Sequence, residues 1–445
     1  MPSRPRARGA LAALVALFTA GYLAPYLLPT VVGRLAAGLG LGPSQAGLIG
    51  SVLLLGSASA GFTLATRVHR IGPRRAARLG LLAMALGYGS AAAAGTLPPV
   101  VAGVVLGGFG SGTATAVAAS GIAGRPDPQR ASTLGLLSVS AAAGALYLTL
   151  PRLGGGHAPP LLALACAALL VWPVTNLLPG SPRARRDVPA AQGAGPLPHR
   201  RAGAVLAAGL LCWSLAQNAL WGVSGRIGTV QAGLSEVTVG AVFALALGAG
   251  LAGVTAAGAL GSRLGRAVPI GAGTALIAAC VLLSATAEDL VSFATGEILW
   301  NVLYPVVLSC LLGLAASLDP RGRWAVLVGS ASSLGTACGP VTGSVLSEAA
   351  GYPGMGATLA ALLLLVAAPL TAVARRSYGQ ASRSEVPART KSSGEGPVRT
   401  GTAPSAGPRL SVPEPAPHAR RASGAGSGDR CGGTRQKVYA STSAR

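Results

Sequence analysis

Twelve apolar stretches, each long enough to cross a lipid bilayer, constrain this chain more than any other feature. A hydrocarbon core about 30 Å thick takes roughly 20 helical residues rising about 1.5 Å each. Runs of that kind occupy residues 10–33, 44–66, 76–95, 98–123, 131–151, 158–178, 202–224, 236–260, 268–287, 290–316, 324–347 and 354–374. In hydrocarbon every backbone N–H and C=O must be satisfied within the protein, which a helix does by itself. The sequence therefore predicts an all-α integral membrane protein with twelve transmembrane helices. Composition leads the same way: 51% of the 445 residues are hydrophobic and 11% are charged, whereas a soluble domain has about 25% charged. The first run follows Arg4, Arg6 and Arg8 as a secretory signal would. It is too long for one and has a counterpart in the second half of the chain, so it reads as a retained span.

The formal charge of +23 would suit a nucleic-acid binder, but its placement does not. Aromatic residues make up 4% of the chain, and no basic helix is interleaved with them, so platforms for stacking bases are missing. No nucleic-acid partner is expected. With the N-terminus inside, 21 of the 24 arginines up to Arg376 fall at the N-terminus or in inner gaps, and Arg34, Arg152 and Arg226 fall outside. Lys and Arg hold loops on the cytoplasmic side, so both termini are expected there. Arginine far outnumbers lysine, which occurs only as Lys391 and Lys437. That bias suits a high-GC genome and hence a bacterial plasma membrane. Five of the six cysteines (Cys166, Cys212, Cys280, Cys310 and Cys338) lie inside apolar runs, where Cys acts as a small hydrophobe. No His and Cys spacing suggests a metal, and no cofactor is expected. A membrane enzyme would need paired carboxylates or a His and acid dyad near a membrane face, and an ATP-driven pump a Walker A loop; the sequence offers neither, so the chain is not read as an enzyme.

The two halves repeat. Arg8 and Arg201, Gly47 and Gly240, Gly72 and Gly265, and Arg130 and Arg323 are each 193 residues apart. Two six-span halves that both start inside are parallel repeats about an axis normal to the membrane. The expected organisation is a six-helix bundle over 1–178, a cytoplasmic linker over 179–201 rich in Pro, Gly and Arg, a second six-helix bundle over 202–376, and a cytoplasmic tail over 377–445. The tail has too little apolar surface to offset the entropy of ordering and is expected to be disordered. Its net charge of +7 would hold it near anionic lipid or simply leave it solvated.

The inner loop after the second span carries His69, Arg70, Gly72 and Arg74, and that after the eighth carries Gly258, Leu260, Ser262, Arg263, Gly265 and Arg266. With twelve spans in two halves, these loops resemble the GxLxDRxGR signature of the major facilitator superfamily of secondary transporters over residues 8–376. His69 and Ser262 stand where the family has an acid. The resemblance implies a gating role for Arg70, Gly72, Arg74, Arg263, Gly265 and Arg266. Gly335, Gly339, Pro340 and Gly343 in the eleventh span form GxxxGPxxG, which resembles a motif of drug and proton antiporters and related exporters. Small residues allow close helix approach and proline permits a bend; ordinary packing is the alternative reading.

Of the twelve acidic residues only Glu297 lies well inside an apolar run, and no Lys or Arg does. Such a group costs about 2.5–3.5 kcal/mol to place in hydrocarbon, so it must face the protein interior or a wet cavity. It is read as a proton carrier or a partner for a cationic substrate, or else as a carboxylate hydrated in an outward vestibule. Asn301 and Tyr304 follow on the same helical face. Trp213, Gln217, Asn218 and Trp221 in the seventh span and Tyr22 and Tyr26 in the first complete the polar and aromatic set. In the family, spans 1, 7 and 10 line the central cavity, so Tyr22, Tyr26, Trp213, Gln217, Asn218, Asn301 and Tyr304 are candidate substrate contacts; headgroup anchoring competes for Tyr26 and Trp221. The fourth span has no basic residue between Val105 and Gly112, which favours neutral or cationic substrates. The expected activity is alternating-access secondary transport by a monomer in the bilayer, coupled to protons and exporting small organic compounds. Import of a metabolite, or a sensor that has kept the fold, are the alternatives.

Overall fold

The computed structural model describes residues 4–64, 71–178, 196–263, 265–319 and 321–384, with side chains for all of these except 4–7, 64, 257–263 and 377–384. His69, Arg70, most of the expected linker and nearly all of the expected tail lie outside the described residues. Every regular element among those described is helical. Span 1 is built from two helices, Arg4–Tyr26 and Leu28–Leu39. Spans 2 to 6 are Pro43–Leu64, Pro73–Ala93, Leu97–Ala123, Pro128–Thr149 and Ala158–Val171, the last continued by a 3₁₀ turn over Pro173–Leu177. Spans 7 to 10 are Arg200–Arg226, Glu236–Arg263, Ala267–Ala285 and Leu290–Ser317. Spans 11 and 12 form one run, Arg323–Ser384, broken at Gly351, whose φ of 69° and ψ of 172° are non-helical. The last helix thus continues past Arg376, where the tail was expected to begin.

Local signals set the helix ends. Proline, which lacks the N–H that a first turn cannot use, opens spans 3 to 6. Asp127 and Asp289 cap spans 5 and 10, accepting from the amides of Arg130 and Ser292 at 2.9 Å. Gly72 and Gly265 occupy equivalent loops of the repeat with φ of 90° and 64°, a region that glycine enters without strain. Leu170, Val291 and Leu365 are more than 70% exposed, as suits a surface solvated by lipid chains rather than water.

Span 4 packs against spans 1, 2 and 3, and span 10 against spans 8 and 9, while span 7 lies along span 11. Small residues set these distances. A Cβ on Gly107 or Gly110 would overlap span 3, and one on Gly335, Gly339 or Gly343 would overlap the backbone of span 7. The two halves meet where span 2 crosses span 11, span 5 crosses span 8, and span 1 crosses span 7. Their named ties lie toward the face away from the N-terminus. Arg34 pairs with Glu236 at 2.5 Å, Ser44 hydrogen-bonds Glu348, Val341 N donates to Ser51 Oγ at 3.0 Å, and Trp221 Nε1 donates to Pro25 O at 3.0 Å. That face is closed.

Candidate functional site

Two prolines explain how the halves grip each other. Pro29 has no N–H, so the Pro25 carbonyl loses its usual helical donor. Trp221 of span 7 supplies one instead, and Tyr147 of span 5 donates its hydroxyl to the neighbouring Tyr26 carbonyl at 2.6 Å. The interruption divides span 1 at Leu27. Pro340 works similarly in span 11: the helical ladder is weakened around it, and the Val341 amide turns to Ser51 of span 2. Its ring rests on Gly50, beside Gly222 of span 7. The glycines and proline of the GxxxGPxxG motif therefore join spans 2, 7 and 11 through close packing.

Inside this closure runs a band of aromatic rings. Trp213 stacks on Tyr304 with centroids 5.1 Å apart and planes 24° from parallel. Trp300 lies 6.0 Å from Tyr304 and 5.5 Å from Trp221. Phe243 then bridges Trp221 and Tyr147 at 5.1 and 5.0 Å. Tyr22 pairs with Phe18 at 4.5 Å on span 1. Trp213, Trp221 and Tyr304 of the sequence-derived aromatic set are thus brought together, and Tyr147, Trp300 and Phe243 are additions that sequence reasoning missed. Trp300 sits between Glu297 and Asn301 in the chain and was within reach of the same helical-face argument; Tyr147 and Phe243 come from spans that showed no polar signal.

Polar groups in the band are only partly satisfied. Gln217 is fully buried, accepts from Trp300 Nε1 through its Oε1, and has no partner for its Nε2. Trp213, one turn earlier and equally buried, has no partner for its Nε1. Two unpaired donors on one face of span 7 suit an acceptor-bearing solute, because an unmade buried hydrogen bond costs about 1–3 kcal/mol. Asn218 instead reaches Ser214 O and Thr336 Oγ1 at 2.9 and 3.3 Å, tying span 7 to span 11. Asn301 bonds back to the Glu297 carbonyl at 3.0 Å.

Glu297 lies within the second half rather than in an open vestibule. It has no exposed surface, and its Oε1 sits 2.8 Å from Ser224 Oγ of span 7. Ser284 of span 9 stands beside the same carboxyl, but no hydrogen bond closes to Glu297 Oε2, and both atoms lack partners. Ser224 Oγ also lies 3.0 Å from Leu220 O, so one hydroxyl hydrogen faces two acceptors. No arginine or lysine contacts the carboxyl among the described residues. Ser224 and Ser284 are the neighbours of Glu297 that sequence spacing could not reveal.

The loop motif holds ends of helices. Arg74 at the start of span 3 donates to Asn176 O at 2.6 Å and to Leu178 O at 2.8 Å, and Arg78 reaches Asn176 Oδ1 at 2.7 Å. These carbonyls terminate span 6, so the contact lies within the first half. Arg266 runs beside Gly313 of span 10. Arg70 and the Arg263 side chain lie outside the described residues.

The sequence profile of the Major Facilitator Superfamily matches residues 9–323. No curated protein matches the chain by sequence. Among solved structures, the human organic anion transporter MFSD10 (TETRAN) is similar with a TM-score of 0.59 and 21% identity, over 83% of this chain and 100% of that one. A bacterial homologue of the human lysosomal transporter Spinster, in an inward-facing, unoccupied conformation, gives 0.63 and 15%, over 86% and 98%. A D-xylose–proton symporter gives 0.66 and 15%, over 83% and 97%. At these identities the structures speak for the fold, and the profile speaks for the family. The chain belongs to the major facilitator superfamily and is a multi-pass membrane transport protein.

Proposed function

We propose that this protein is a proton-coupled secondary transporter that exports small neutral or cationic organic compounds by alternating access. Residues 1–178 and 202–376 act as the two rocking bundles, joined by 179–201, with both termini cytoplasmic in a plasma membrane. On that orientation the closed face is the outer one.

The Glu297 site carries the proton half of this reading. A fully buried carboxyl with no cationic partner is expensive to ionise. Protonation resolves its contacts: Glu297 donates to Ser224 Oγ, whose own hydrogen then serves Leu220 O, or donates from Oε2 to the waiting Ser284 Oγ. Separation of spans 7, 9 and 10 during the transport cycle would admit water and release the proton. The substrate half rests on Tyr22, Tyr26, Trp213, Gln217 and Tyr304, which offer ring faces and unpaired N–H donors without a fixed cation for an anion. Export follows from the Gly335, Gly339, Pro340 and Gly343 pattern. The D-xylose neighbour is named for proton symport and the human one for organic anions, so neither direction nor charge is taken from them.

The test uses purified protein in proteoliposomes with a pH-sensitive dye and a panel of amphiphilic solutes. Proton flux that depends on one solute, and its loss in Glu297→Gln while exchange of labelled solute continues, is the expected result. Solute movement with unchanged pH dependence in Glu297→Gln would overturn the proton assignment.

A further inference from the structure

At the closed face a pocket of about 340 Å³ opens between the halves, floored by Tyr147 and Phe243 at the outer end of the aromatic band. Span 1 contributes Pro29, Thr30 and Arg34, span 5 Tyr147, and spans 7 and 8 Arg226, Glu236 and Phe243. The pocket is small enough for one organic molecule of modest size.

Its charges are uneven. Arg34 is used up: its guanidinium serves the Gly154 carbonyl and Glu236, and its side chain is only 7% exposed. Arg226 has no acidic partner among the described residues. Its guanidinium carbon lies 5.9 Å over the Tyr352 ring, and its Nη1 is buried without a hydrogen-bond partner. Two arginines against one glutamate leave the wall one positive charge in excess. A guanidinium edge suits a carboxylate, since its donors match both oxygens. Tyr147, Phe243, Pro29 and Val239 offer an apolar surface beside it.

We infer that this pocket is a binding site for a small organic monocarboxylate from the outer solution, held by Arg226, that locks the transporter with its outer face closed. Because both halves supply its walls, opening that face destroys the site. A ligand that binds one of two states shifts the population toward that state. The occupant is therefore an inhibitor of cycling rather than cargo, and its binding stands apart from the proton and substrate reading above.

The probes are cyclohexanecarboxylate and its neutral analogue cyclohexanecarboxamide, added to the purified full-length protein. Calorimetric titration follows binding. Alkylation of a Ser51→Cys variant, otherwise free of cysteine, follows opening, because Ser51 is buried between spans 2 and 11. The carboxylate should bind and slow alkylation, while the amide does neither. Arg226→Gln should weaken carboxylate binding about tenfold or more, as expected for a lost charge-assisted hydrogen bond, whereas Arg226→Lys should retain part of it. Equal binding of acid and amide, unchanged binding in Arg226→Gln, or alkylation that the carboxylate leaves unaltered or accelerates would overturn the inference. The acid–amide comparison uses native Arg226, so it decides the matter even where the Arg226 variants fail to fold.

Discussion

Trp300 and Gln217 show how a residue can be structural through one atom and available to a ligand through another. The indole N–H is committed to the Gln217 carbonyl oxygen, which leaves the amide nitrogen unpaired. Trp300→Phe would strand that buried oxygen and should lower stability by about 1–3 kcal/mol. Adding Gln217→Leu removes the stranded partner and should recover much of the loss, because replacing both members of a buried pair by apolar groups is nearly neutral. Thermal unfolding reads the stability, and solute exchange should stay impaired in the double variant if Gln217 Nε2 contacts substrate. The residue types of this site were legible in the sequence: an acid, three amides and several rings stood out against an aliphatic background. Their partners were not. Glu297, Asn301 and Tyr304 do share a helical face, but span 10 meets different neighbours along its length. Glu297 accordingly meets Ser224 and Ser284 inside one bundle, while Tyr304 meets the rings of Trp213 and Trp300. Helical periodicity gives direction around an axis and says nothing of what crosses that axis at each depth.

Among the elements, the prolines give the sharpest expectations. Pro29→Ala restores an N–H that can bond Pro25 O within span 1 and compete with Trp221. Span 1 should become continuous and its grip on span 7 weaker, with faster alkylation of Ser51→Cys from the outer side; unchanged alkylation would count against this role. The loop between spans 10 and 11 carries an electrostatic counterpart. Asp319 accepts from Arg323 Nε at 2.7 Å and from the Arg321 amide at 3.1 Å, and these bonds hold its carboxyl below the usual range. A lowered carboxyl stabilises the folded state above its unfolded pKa of about 3.9, and that contribution disappears as pH falls through the lowered value. Asp319→Asn should therefore remove this part of the acid sensitivity, as measured by unfolding midpoints across acidic pH. The helices themselves were readable from apolar length and from Pro, Asp and Gly at their ends. Less readable were the division of span 1 at Leu27 and the run of the final helix to Ser384, since both depend on contacts or continuations that apolar length does not encode.

For the whole molecule, the repeat and the asymmetric closure together support the alternating-access cycle proposed above. On the proposed reading the halves rock about their contacts at the closed face, and the bonds from Arg34 to Glu236, Ser44 to Glu348, Val341 to Ser51 and Trp221 to Pro25 are those that would break when that face opens. Glu236 is half exposed, so its pair should be worth at most about 1 kcal/mol. A bond that weak can be broken and remade in each turn of the cycle. Alternating access was implied by the sequence through the family resemblance; which face is closed required the contacts between halves. The most direct measurement places spin labels at Gln45 and Ala349 on the closed face and, in a second sample, at Gln129 and Arg321 on the opposite one. Double electron–electron resonance in lipid nanodiscs then follows both distances as pH is stepped, with and without Glu297→Gln. The expected result is two populations for each pair that exchange in opposite senses, the outer distance lengthening as the inner shortens, with Glu297→Gln holding the balance fixed against pH. A single unchanging distance for both pairs, or both lengthening together, would contradict the account.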